Sequence, residues 1–281
     1  MTRRTGQEPT MPPDKKRPPA TAYENRRFLE HREARPLRIL SEYLEPESRF
    51  SHYSIADTIV FMGSARVVAL EQAEAALKEA RGPEEKQAAE LQLEMSRYYE
   101  EAGELAERLT VWSKELNDED HRYVICTGGG PGIMEAANRG ASRARGMNVG
   151  MAISIPEEQT YNSFITRELA FHFHYFFMRK FWFAYLAKAV IFFPGGFGTL
   201  DEMFEILTLL KTKKITKHLP VVLFGKKYWK EVVNFEALLK YGMIGPEEMD
   251  LFMVTDSVEE AFLYITAELS EAAASEKGAT L

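Results

Sequence analysis

A short glycine-rich stretch followed directly by carboxylates is the part of this sequence best suited to chemistry. The stretch FFPGGFGTLDE, residues 192–202, places two aromatic residues before a Pro-Gly-Gly turn and two acids, Asp201 and Glu202, behind it. Glycine lets the backbone come close to a ligand, and a helix that follows presents free N–H groups and the positive end of its dipole. The stretch therefore predicts a site for an anion, most simply a phosphate, with a carboxylate beside it.

Two roles can be separated within this stretch. The expected phosphate contacts are three glycines and a threonine, namely Gly195, Gly196, Gly198 and Thr199. Glu202 lies three residues after Thr199, in the first helical turn, where its side chain can point back towards the ligand. An anion site gains nothing from an acid, whereas a site that breaks a sugar bond needs a carboxylate to orient water or to stabilise an oxocarbenium-like centre. Glu202 is therefore the candidate catalytic residue, and helix capping is its alternative role.

Apolar strands alternating with amphipathic helices must position these residues. Strands are predicted in ADTIVFMGSARV, RYVICTGGG, MNVGMAISIP, VIFFPGG, LPVVLFG and DLFMVTD, with LAFHFHYFFMRKFWFAYLAKA and KYWKEVVNFEALLKYG each expected as one helix. This alternation predicts an α/β fold, a Rossmann-like doubly wound parallel sheet with its ligand at the carboxyl ends of the strands. Three glycine turns would lie along that edge, at Gly63, at 128–130 and at 195–198.

The composition suggests additional segments around one main domain. Residues 1–20 are rich in Pro, Lys and Arg, which predicts a disordered tail, and a helix is expected from Tyr23 to about Leu44, ended by Pro46. The expected division is a tail at 1–20, an N-terminal helical extension at 21–50 and a single Rossmann-like domain at 51–275 that carries a helical hairpin insertion at 66–116.

Charge and composition exclude several functional classes. The net charge of −7 provides no field that would attract nucleic acid. The only cysteine, Cys126, cannot form a disulfide within the chain, and neither a secretory signal nor a membrane-spanning apolar segment is recognisable, so we expect a soluble cytoplasmic protein. His172 and His174 are expected on a helix, where their side chains diverge, and no cluster has metal-ligand spacing.

Three motifs in this sequence resemble those of one family. PGGFGTLDE resembles the PGGxGTxxE motif of the Lonely Guy family of cytokinin-activating phosphoribohydrolases, often labelled lysine decarboxylase-like, and TGGGPGIMEAANRGA and FFMRK resemble its other two motifs. The resemblance spans about residues 55–266 and is strongest to the bacterial branch related to nucleotide 5'-monophosphate nucleosidases, which has a stretch similar to IPEEQTYNSFI. It implies a Rossmann-like fold, a homodimer or an assembly of dimers, a small-molecule nucleotide as the partner, and hydrolysis without a cofactor.

The resemblance also implies roles for particular residues. Arg179 and Lys180 match the Arg-Lys pair of the family, in which the arginine is taken to be catalytic together with the glutamate matched by Glu202. An arginine offers a planar fork to ribose or phosphate oxygens and, near Glu202, would hold that carboxylate ionised. The second motif and the first glycine turn supply the remaining candidate substrate contacts: Gly129, Gly130, Met134, Glu135 and Ser64. Glu135 could equally compensate a helix dipole.

The leading functional hypothesis is hydrolysis of the N-glycosidic bond of a nucleoside 5'-monophosphate, either AMP or a cytokinin-type N6-substituted AMP. The alternative is a non-catalytic nucleotide-binding or carrier protein on the same scaffold. An amino-acid decarboxylase is disfavoured, because nothing around Lys180 or Lys188 identifies a Schiff-base lysine. The preferred base stays open, because it depends on the shape of a pocket that the sequence does not define.

Overall fold

The computed structural model describes residues 20–116, 120–154 and 161–272. Nearly all of the predicted tail, and the first six residues of IPEEQTYNSFI, lie outside these ranges. Contacts divide the chain into two compact units, Met1–Ser41 and Glu42–Leu281. The first unit contains short helical segments, and in it the Arg38 guanidinium donates hydrogen bonds to the carbonyls of Leu29 and His31.

The second unit is built on a seven-stranded sheet, and every pair of neighbouring strands is parallel. The strands are β1 (Thr58–Met62), β2 (Val124–Thr127), β3 (Asn148–Ile153), β4 (Ala170–Phe173), β5 (Ala187–Phe192), β6 (Val221–Phe224) and β7 (Met253–Thr255). The α-helices of the described residues, including α1 of the first unit and α2, which begins in it, are α1 (Arg26–Glu30), α2 (Arg35–His52), α3 (Leu70–Glu79), α4 (Pro83–Glu115), α5 (Ile133–Arg143), α6 (Phe176–Leu186), α7 (Phe197–Lys211), α8 (Lys226–Val232), α9 (Phe235–Lys240) and α10 (Val258–Ala272). The predicted α/β Rossmann-like fold is thus confirmed.

The order of the strands places the predicted ligand edge. The sheet runs β4-β3-β2-β1-β5-β6-β7, so the chain reverses its direction of winding between β1 and β5. In open parallel sheets, ligands bind outside the carboxyl ends of the strands at such a switch point. The three glycine turns follow β1, β2 and β5, and therefore surround this point.

The two helices between β1 and β2 form the predicted hairpin. The longer helix, α4, packs along α5, and a Cβ atom on Gly140 of α5 would lie 2.1 Å from the carbonyl oxygen of Gly103 in α4. Glycine therefore allows the two helix backbones to approach closely. This packing fixes α4 beside the helix that follows the second glycine turn.

The helix predicted for residues 169–189 is wrong at its beginning. Residues 170–173 form β4, in which Phe171 and Phe173 are buried and His172 is exposed, and α6 starts only at Phe176. This alternation has the period of a strand, and the strong aromatic content obscured it. His172 therefore lies on a strand and His174 lies in the turn after it, so the prediction that both lie on a helix is wrong. In the described ranges, no group of three or more possible metal-ligating side chains occurs.

Pro46 lies inside α2 instead of ending a helix. A proline cannot donate a backbone hydrogen bond to the carbonyl four residues earlier, here that of Glu42. The indole Nε1–H of Trp182 donates to this carbonyl instead, at 3.0 Å. A tertiary contact thus replaces the lost helical hydrogen bond, and the helix continues to His52.

The helix predicted for residues 227–242 is also divided. It forms α8 and α9, which are separated because the side chain of Asn234 accepts a hydrogen bond from the N–H of Ala237 and caps α9. Among the described residues, no helix is both long enough and apolar enough to cross a membrane.

Candidate active site

A cavity of about 790 Å³ opens at the carboxyl ends of β1, β2 and β5. All three glycine turns contribute to its lining, together with side chains from α4, α6, α7 and α8. The predicted site residues that line it are Ser64, Met134, Arg179, Gly195, Gly196, Gly198, Thr199 and Glu202. The structure therefore brings eight separate predictions together in one cavity.

The PGGFGT loop leaves an open, uncapped helix start in this cavity. Gly196 is the N-cap of α7, and no side chain caps the helix. The first N–H groups of an α-helix have no partner within the helix, so they are available to an anion. A Cβ atom on Gly196 or Gly198 would meet no atom within 4 Å, whereas one on Gly195 would lie 2.0 Å from Thr199 Oγ1. Gly195 is thus needed for packing, while Gly196 and Gly198 leave space for a ligand.

Neighbouring segments hold this loop in place. The N–H of Ser64, after β1, donates to the carbonyl of Pro194 at 2.9 Å. The hydroxyl of Tyr228, on α8, donates to the carbonyl of Gly195 at 2.6 Å. The loop therefore enters the site as a preorganised element.

Arg179 and Glu202 face each other in the cavity. A guanidinium nitrogen of Arg179, on α6, lies 3.5 Å from a carboxylate oxygen of Glu202, on α7, and both side chains are largely buried. The rings of Phe176 and Phe183 lie 5.4 and 5.6 Å from the centre of the guanidinium. The pair thus combines a cation and an ionisable acid in surroundings of low polarity.

Burial controls the protonation of Glu202. It raises the pKa of this carboxyl from 4.5 to about 7, and the nearby Arg179 and Lys180 offset the rise only in part. Arg179 thus lowers the pKa of Glu202, in the expected direction, but the loss of hydration outweighs the ion pair and the net pKa rises. At neutral pH Glu202 can accept or release a proton, as a general acid or base requires.

Lys180 lies outside the cavity lining. Its ammonium group pairs with Asp201 at 2.7 Å and with Glu205 at 3.1 Å, which joins α6 to α7. This pairing holds the two helices that carry Arg179 and Glu202. Its predicted role in substrate binding stays a prediction.

Only some residues of the second glycine turn and of the start of α5 line the cavity. Gly128 and Met134 line the cavity, but Gly129, Gly130 and Glu135 do not. Asn162 holds the turn from behind: its N–H donates to the carbonyl of Gly129 at 2.9 Å and its side-chain amide donates to that of Gly130 at 3.1 Å. Glu135 accepts a hydrogen bond from the Tyr99 hydroxyl at 2.8 Å.

Sequence reasoning missed several residues that line the cavity. Arg66 follows the β1 turn and adds a second arginine, and its place beside a predicted ligand edge could have identified it. Two further groups are Leu91, Gln92 and Met95 of α4 and Tyr228 and Val232 of α8. These residues lie far from the glycine motifs in the sequence and follow ordinary helical patterns, so no local signal marks them.

Comparisons with known proteins agree with parts of this description. The sequence model of the family described as "Possible lysine decarboxylase" matches residues 134–265, a region that includes Arg179, the PGGFGT loop and Glu202. No curated protein matched the sequence.

Several solved structures are similar at low sequence identity. The molybdenum cofactor carrier protein of Chlamydomonas reinhardtii is 19% identical, with a TM-score of 0.44, over 77% of this chain and 99% of that protein. The molybdenum cofactor binding protein of Rippkaea orientalis is 17% identical, with a TM-score of 0.45, over 75% of this chain and 96% of that one. A structural-genomics target is 19% identical, with a TM-score of 0.48, over 75% and 99% of the two chains. Residues 134–265 of this α/β protein are thus similar to the family described as possible lysine decarboxylases.

Proposed function

We propose that this protein hydrolyses the N-glycosidic bond of a nucleoside 5'-monophosphate, either AMP or a cytokinin-type N6-substituted AMP, to the free base and ribose 5-phosphate. One observation carries the proposal. A buried carboxyl with a pKa of about 7, that of Glu202, lines the same cavity as Arg179 and the uncapped start of α7. A site for phosphate alone does not need this acid.

The start of α7 is proposed to hold the 5'-phosphate. Its free N–H groups and the hydroxyl of Thr199 can donate to phosphate oxygens, and Gly196 and Gly198 leave space for them. Arg179, or the exposed Arg66, can add a charge-assisted hydrogen bond. Binding energy from the phosphate then positions the ribose for reaction.

Glu202 is proposed to act at the ribose. As the C1'–N bond breaks, the base leaves with the bonding electrons and takes up a proton from solvent water, while the attacking water adds to C1' and gives a proton to ionised Glu202. Glu202 then returns this proton to solvent, so that the net reaction consumes one water molecule. A carboxylate also stabilises the positive charge that develops on the ribose ring. Arg179 would fix the oxygens of the ribose phosphate, and its pairing with Glu202 keeps the two groups in one place.

The cavity does not suit decarboxylation through a Schiff base. Among the described residues that line it, there is no lysine. Lys180 pairs with two acids outside it, and Lys188 is buried within β5. The side chain that would form the Schiff base is thus missing from the described lining.

A release assay on a panel of nucleoside monophosphates, nucleosides and amino acids tests the proposal. We expect ribose 5-phosphate from AMP or an N6-substituted AMP, and we expect Glu202→Gln to lower turnover by at least about 100-fold while nucleotide binding persists. The matched control is Glu74→Gln at an exposed position of α3, outside the cavity lining, which should retain turnover.

Two outcomes would contradict the proposal. Turnover in Glu202→Gln equal to that of the wild type would remove Glu202 from the reaction. Tight nucleotide binding without turnover in the wild type would support the non-catalytic binding or carrier function instead. Homodimerisation and a cytoplasmic location are further proposals, and light scattering of the purified protein would test the first.

A further inference from the structure

We propose that the cavity wall formed by α4 and α8 recognises the base of the nucleotide, with the side-chain amide of Gln92 as the group that distinguishes one base from another. This inference rests on the proposed function and specifies its substrate recognition. The wall consists of Leu91, Gln92 and Met95 from α4 and Tyr228 and Val232 from α8.

The wall is connected to the phosphate loop. The hydroxyl of Tyr228 donates to the carbonyl of Gly195, so α8 contacts the loop directly. An ion pair of 2.8 Å between Lys227 and Glu94 joins the start of α8 to α4. A ligand whose phosphate lies at the start of α7 therefore shares one cavity with a wall that is fixed relative to that phosphate.

The chemistry of the wall suits an uncharged aromatic ring. The charged side chains among the described lining residues are Arg66, Arg179 and Glu202, and none of them belongs to α4 or α8. A second phosphate or an ammonium group would lose hydration against this wall without a compensating charge. Apolar side chains and the thioether of Met95 instead favour contact with an aromatic ring, because a thioether is polarisable.

Gln92 is the hydrogen-bonding amide of this wall. Among the described residues that line the cavity, it is the only one with a side-chain amide. An amide carries both a donor and an acceptor, and can form a bidentate pair with the edge of a base that presents the complementary pair. Gln92 can therefore discriminate between bases by hydrogen bonding to the carbonyl and amine groups in which they differ.

The position of the wall in the sequence supports its role in specificity. Leu91, Gln92 and Met95 lie in the helical hairpin, outside residues 134–265 that match the family model. The phosphate loop, Arg179 and Glu202 lie inside that region. The α8 part of the wall, Tyr228 and Val232, also lies inside the matched region, so it is the hairpin that adds Gln92 to the cavity from outside that region.

The test compares Gln92→Leu with the wild type on AMP, IMP, GMP, CMP and UMP. Gln92→Leu removes the amide and keeps a side chain of similar size. The matched control is Gln87→Leu, the same substitution on an exposed position of α4 outside the cavity lining. Both kcat/KM for base release and the Kd of each nucleotide are measured, with inhibition by ribose 5-phosphate as the readout of the phosphate site.

We expect Gln92→Leu to reduce the ratio of kcat/KM between the best and the poorest nucleotide by about 10-fold or more, the scale of one bidentate hydrogen-bonded pair. Ribose 5-phosphate should inhibit the wild type, Gln92→Leu and Gln87→Leu equally. Unchanged base ratios in Gln92→Leu, or an equal loss in Gln87→Leu, would overturn the inference and leave the proposed hydrolysis intact. If the wild type binds nucleotides without turnover, the Kd ratios decide the inference although the hydrolysis has failed. A wild type that neither binds nor cleaves any of these nucleotides overturns both.

Discussion

Replacing Glu202 with glutamine is expected to stabilise the folded protein at and above neutral pH, although it removes the proposed catalytic group. The side chain is 5% exposed, and burial raises its pKa from 4.5 to about 7. In the unfolded chain the pKa returns to about 4.3 to 4.5. Between these values the folded protein binds more protons than the unfolded chain, so the free energy of unfolding falls as pH rises.

The structure sets the size of this effect. The contribution of protonated Glu202 to the free energy of unfolding is fully present below about pH 4.5 and is lost as pH rises through about 7. At about 1.4 kcal/mol per pKa unit, the loss is slightly more than about 3 kcal/mol at pH 8. Glutamine has nearly the same shape and does not ionise, so the variant escapes this loss. The ion pair with Arg179 acts in the opposite direction and is outweighed.

Urea unfolding of the wild type and Glu202→Gln at pH 5 and pH 8 measures the effect. We expect the variant to gain about 2 to 3 kcal/mol relative to the wild type between these two pH values. Glu74→Gln serves as the control, because Glu74 is exposed on α3, outside the cavity lining. Parallel stability curves for the wild type and Glu202→Gln would refute the reasoning, since burial would then not control the carboxyl.

Three further predictions concern the phosphate loop and the absence of a metal requirement. The wild type should prefer AMP over adenosine by roughly a few hundred-fold in kcat/KM. Gly196→Asp, whose Cβ would enter open space, should abolish this preference and leave the thermal midpoint of unfolding nearly unchanged. Near-equal kcat/KM values for AMP and adenosine in the wild type would contradict the proposed phosphate site. Tyr228→Phe deletes the hydrogen bond to Gly195 and should weaken inhibition by ribose 5-phosphate by roughly 5-fold with little change in kcat, since such a bond contributes about 1 kcal/mol; an unaltered inhibition constant would contradict this. EDTA should not lower activity, because the described residues contain no group of three or more metal ligands; inhibition that a divalent ion reverses would show the opposite.

Local patterns in the sequence were sufficient to predict the turns that surround the site. An apolar strand, a glycine turn and an amphipathic helix follow one another directly along the chain, as in 124–143 and 187–211, so each of these units could be recognised from the sequence alone. The spacing from Thr199 to Glu202 placed the acid on the helix after the turn, but the prediction that it lies in the first helical turn is wrong: α7 begins at Phe197, so Glu202 lies in the second turn. The parallel arrangement followed from the alternation of these units.

The secondary structure that the sequence predicted wrongly is determined by contacts between residues far apart in the sequence. Helix α2 continues through Pro46 because Trp182, far away in the sequence, donates to the carbonyl that proline leaves without a partner. Residues 170–173 form a strand because they pair with β3 at the edge of the sheet. Neither partner can be identified from the residues adjacent to these segments.

The sequence by itself thus determined the fold class and the candidate groups, since both depend on local periodicity and on residue type. Only the tertiary structure decided the properties of the site. The pKa of Glu202 depends on how completely other segments remove water from it, and in this structure burial outweighs Arg179. The wall opposite the motifs comes from α4 and α8. Packing of α4 along α5, with the ion pair between Glu94 of α4 and Lys227 of α8, brings Gln92 to a cavity that its own sequence neighbours do not indicate.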